Sequence, residues 1–84
     1  MAIPLPVFER VASEIIDEWY PDVQSYHFNG YEIVLDVKYN RRNSTYNAFV
    51  GFDENGNFCM IGNPYGAAAP GRIGNAIERE LKNI

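Results

Sequence analysis

Tyr26-His27-Phe28-Asn29-Gly30-Tyr31-Glu32-Ile33-Val34-Leu35-Asp36-Val37-Lys38-Tyr39, residues 26–39, is the stretch that decides the fold. Asn-Gly favours the positive-φ turns that reverse a chain between antiparallel strands. After it, Tyr31, Ile33, Leu35, Val37 and Tyr39 alternate with Glu32, Val34, Asp36, Lys38 and Asn40. Strict period two places the first set on one sheet face and the second on the other. One face is then strongly apolar and the other mixed, as in an antiparallel sheet covered on one side only.

Downstream, the polar Asn40-Arg41-Arg42-Asn43-Ser44 predicts a hairpin loop into a third strand, Thr45 to Phe52. There Tyr46, Ala48, Val50 and Phe52 share one side, with Thr45, Asn47 and Phe49 on the other. Asp53-Glu54-Asn55-Gly56 turns the chain again into a fourth strand, 57–61, which Gly62-Asn63-Pro64 ends. Val34 and Phe49 are expected on the outer face, joined by either Cys59 and Ile61 or Phe58 and Met60. An uncovered apolar patch of this kind marks a partner surface.

Helical patterns flank the strands. Phe8, Val11, Ala12, Ile15, Ile16 and Trp19 recur at three- and four-residue spacing over about residues 6–19, entered through Pro4 and Pro6 and stopped by Pro21. Trp19 is expected in the core. Ile73, Ala76, Ile77 and Leu81 predict a second helix over about 71–83. Each helix has one apolar stripe, and both can bury it on the Tyr31/Ile33/Leu35 side of the sheet. The expected fold is α+β, a two-layer sandwich in which a four-stranded antiparallel meander carries both helices on one face, in the order α-β-β-β-β-α.

At 84 residues and 46% hydrophobic content the chain is expected to form one domain, 1–84, burying roughly 60–65% of its unfolded surface. The formal charge of -4 is concentrated in residues 1–23, where Glu9, Glu14, Asp17, Glu18 and Asp22 face Arg10 alone. An acidic chain disfavours non-specific nucleic-acid binding, which depends on neutralising phosphates. The single cysteine, Cys59, excludes an internal disulfide or a cysteine-rich zinc site. No basic leader with an apolar core opens the sequence and no run is long enough for a membrane span, so a cytoplasmic protein is expected.

Catalytic and cofactor patterns are weak throughout. Cys59 and His27, the one nucleophile and base pair of this type, fall on the fourth and first strands, roughly 14 Å apart at standard strand spacing. Glu32, Asp36 and Lys38 share a sheet face with His27 nearby, as charges do on any solvated face. Residues 66–73, Gly66-Ala67-Ala68-Ala69-Pro70-Gly71-Arg72-Ile73, have phosphate-loop glycine spacing, but Arg72 and Ile73 replace the required lysine and hydroxyl residue. Neither a catalytic residue, a metal ligand nor a cofactor is assigned. Arg72 beside a helix start offers only an anion contact.

The element order is similar in outline to double-stranded-RNA-binding domains. That family starts its last helix with lysines, where Gly71-Arg72-Ile73-Gly74-Asn75 supplies Arg72 alone. A helix followed by a meander also resembles cystatin-like and PepSY-like inhibitory modules, without a diagnostic motif of either. The expected function is a small non-catalytic protein-binding module, of the inhibitor, immunity or phage anti-defence type by analogy. Glu14, Asp17 and Glu18 would steer a basic protein partner, with Val34 and Phe49 supplying contact area. A homodimer through the outer sheet face or an edge strand would bury the same patch. The alternative is nucleic-acid or nucleotide binding through Arg41, Arg42, Arg72 and nearby tyrosines.

Overall fold

The computed structural model describes residues 2–39 and 44–84. In chain order the elements are α1 (Leu5–Trp19), β1 (Val23–Asn29), β2 (Glu32–Lys38), β3 (Thr45–Phe52), β4 (Phe58–Gly62) and α2 (Ala68–Leu81). The strands form one antiparallel sheet in the order β1-β2-β3-β4, the expected meander. Register fixes the faces: Phe28, Ile33 and Val50 stand in one row, and His27, Val34, Phe49 and Gly62 in the next. Ile33, Leu35, Val37, Tyr46, Ala48, Val50 and Phe52 are buried beneath the two helices.

Both helices begin in proline-containing turns. Pro4 caps α1 and Pro6 is its second residue, while Pro70 is the third of α2. The first turn of a helix needs no amide donors, so proline is tolerated there. This explains why α2 starts three residues before the expected Gly71. The helices run in opposite directions, since Tyr20 at the end of α1 donates to the Arg72 carbonyl of α2 while Val11 and Ile84 share a groove. Phe8 is the aromatic centre of the core, with edge-to-face contacts to Phe28, Tyr31 and Phe52 at 5.2–5.9 Å between ring centroids.

The first hairpin closes one residue later than the Asn-Gly reading implies. Asn29 still pairs with Glu32, leaving Gly30-Tyr31 as the loop with Gly30 at φ +63°. Glycine at the first of two loop positions suits the type II′ hairpin. The second turn is built around Asp53, whose carboxylate accepts from the Asn55 amide, the Asn57 amide and the Asn57 side chain at 2.8–2.9 Å. These bonds, the Asn57 side chain first, hold the Asp53 carboxyl below the usual range. Gly56 has φ +85°, a left-handed conformation that favours glycine.

A bulge resolves the face of β4. Gly51 pairs with Met60 and Phe52 with Phe58, which leaves Cys59 as the extra residue. Neither alternating alternative holds: Phe58 packs inward against Phe52 and over Gly74, whereas Cys59 is exposed and Met60 packs on Gly51 at the outer face. Glu78 of α2 accepts the Phe58 amide at 2.8 Å, tying the strand to the helix above it.

Candidate functional site

Trp19 is 66% exposed, which corrects its expected place in the core. At about 100° per residue Trp19 falls within 20° of Phe8 on the helical wheel. The buried positions, however, drift along the helix from Phe8 and Val11 to Ala12 and Ile16. Contact therefore runs obliquely across α1, and by its last turn has passed the Trp19 side. There the indole stands between the helices beside Ile15, Ala76 and Ile84, bordered by Glu14, Glu18 and Glu80 with Arg10 and Arg79. Ile84 is also 65% exposed, so the strip is an open apolar surface.

The acidic residues of α1 are displayed on this same layer. Glu14 is paired with Arg10 at 3.2 Å, and Asp17 accepts from the Tyr26 hydroxyl at 2.8 Å. Burial, helped by Asp17, raises the Tyr26 pKa, so its hydroxyl remains a donor at neutral pH. Glu18 and Glu80 have no ion pair among the described residues. Across α1 four carboxylates, Glu9, Glu14, Asp17 and Glu18, stand against one guanidinium.

Val34 and Phe49 lie on the opposite side of the molecule, on the uncovered sheet face. They are cross-strand partners, and the Phe49 ring occupies the space a Cβ of Gly62 would need. Phe49 is thereby half-buried, less open than expected. With Pro64 these residues line an apolar hollow of about 450 Å³. Because helices cover one face only, the Val34–Phe49 pair lies on the sheet face away from α1 and α2.

Arg72 joins a third location, at the end of the sandwich where β2 stops and α2 starts. It lines a cavity with Lys38, Tyr39, Tyr46 and Asp22. Arg41 and Arg42 lie outside the described residues. His27, Glu32 and Asp36 line none of the principal hollows, and His27 and Cys59 stand on opposite edge strands with β2 and β3 between them. Among the described residues no three acidic, histidine or cysteine side chains gather around a common metal position, and no helix is long and apolar enough to cross a membrane.

No protein-family model, curated protein or solved structure matches this chain.

Proposed function

We propose that the protein is a small non-catalytic binding module that docks a basic protein partner on its helix layer. The observation that carries this is Trp19, 66% exposed in a groove bordered by Glu14, Glu18 and Glu80. A large aromatic at the centre of a polar rim is the usual anatomy of an interface hot spot, where tryptophan is strongly enriched. The carboxylates raise the encounter rate with a basic surface, and the indole supplies desolvated contact area once the surfaces meet. Covering a basic surface also blocks what that surface otherwise binds, which favours an inhibitor, immunity or phage anti-defence role.

Parallel pull-downs from the native host with the wild-type protein and Trp19→Ala, followed by mass spectrometry, test this. A partner with a basic surface should be captured by the wild type, eluted by salt and lost with Trp19→Ala. Equal capture of the same proteins by both baits would remove Trp19 from the interface and defeat the proposal.

A further inference from the structure

The cavity at the end of the sandwich has a volume of about 560 Å³, within the range of small-molecule sites. Two cations reach it from distant parts of the chain, Lys38 at the end of β2 and Arg72 in α2. Neither has a carboxylate partner: the ion pair of the described residues is Arg10–Glu14. Tyr46 also lines it, and burial, then the charge of Asp22, raises its pKa and keeps its hydroxyl protonated. Its ring packs with Tyr39 at 5.0 Å between centroids, giving the cavity an aromatic side. Ala68 and Ala69 form another wall, in a helix turn without a side-chain cap.

We propose that this cavity binds a small phosphate monoester of mononucleotide size. Arg72 and Lys38 take the phosphoryl oxygens in charge-assisted hydrogen bonds, as these two side chains do wherever phosphate is recognised. The organic part of the ligand lies against Tyr46. Asp22, the one carboxylate of the lining, accepts from hydroxyl groups of the organic part, which gives a hydroxylated phosphate ester a contact beyond its phosphoryl group. This cavity shares no lining residue with the Trp19 surface, so it is independent of the docking proposal.

Titration of the full chain with adenosine 5′-monophosphate, adenosine and inorganic phosphate, followed by amide chemical shifts, tests the assignment. The monophosphate should saturate with shifts centred on Lys38, Tyr46 and residues 68–72. Adenosine and inorganic phosphate should each bind at least about tenfold more weakly, and Arg72→Gln should weaken the monophosphate by about tenfold, the effect of one lost charge-assisted contact. Arg72 is exposed, so the variant keeps its fold, which its undisturbed spectrum elsewhere confirms. Absence of saturation, adenosine binding as well as its phosphate, or an unchanged affinity in Arg72→Gln would overturn it. So would a short single-stranded oligonucleotide binding tenfold more tightly per nucleotide, which would make the ligand nucleic acid.

Discussion

At the scale of single residues, Trp19, Gly62 and Asp53 separate what sequence pattern predicts from what packing decides. Trp19 has the right helical spacing for a core position and the wrong burial, so Trp19→Ala should change stability by less than about 1 kcal/mol, as for a surface substitution. A loss of about 3–5 kcal/mol in denaturant unfolding, the usual figure for a core aromatic, would return it to the core. Gly62 is fixed by Phe49, whose ring fills the place of its missing side chain. Gly62→Ala should therefore cost about 1–3 kcal/mol through overpacking. In the Phe49→Ala background most of that cost should disappear, and a double-mutant cycle reads the difference directly.

Asp53 governs the acid side of the stability curve. Its carboxyl is held below the usual range by Asn57 and Asn55, so its contribution is fully present above the unfolded-state value of about 4. As pH falls from there through the lowered native value, that contribution is lost. Asp53→Asn should flatten the decline of the thermal midpoint below about pH 4. An unchanged acid limb would mean that the turn does not favour the ionised carboxylate.

The elements show why strands were easier to read than helices. In β2 each side chain has one of two directions, so alternation alone assigns Ile33, Leu35 and Val37 inward. The same rule fails in β4, where one inserted residue, Cys59, shifts the phase between Phe58 and Met60. No residue type in Phe58-Cys59-Met60 announces a bulge. For α1 the apolar stripe is legible but its depth is not, because an oblique crossing buries Ile16 and leaves Ile15 half-open. Within this one helix, Phe8→Ala should cost about 3–5 kcal/mol, since three rings pack on Phe8, whereas Ile15→Val should cost less than about 1 kcal/mol. Equal losses would contradict the oblique contact.

At the scale of the whole molecule, the candidate surfaces are set by layer and by end, which no local pattern encodes. The acidic residues and Arg72 were visible individually in the sequence. Their separation was not, nor was the meeting of Lys38 with Arg72, because both depend on how the sheet aligns with α2. The opposed faces make a prediction that neither face makes alone. Met60 is half-exposed on the outer sheet face, and Trp19 stands on the helix layer. Met60→Glu should leave capture of a basic partner unchanged, while Trp19→Ala abolishes it. Raising salt from about 0.05 to 0.5 M should slow association by at least about tenfold in the wild type and in Met60→Glu alike, because the steering carboxylates belong to α1 in both. If self-association occurs, light scattering should show the reverse dependence, with dimer lost in Met60→Glu and kept in Trp19→Ala. Loss of both activities in either variant would mean that the two layers serve one composite interface.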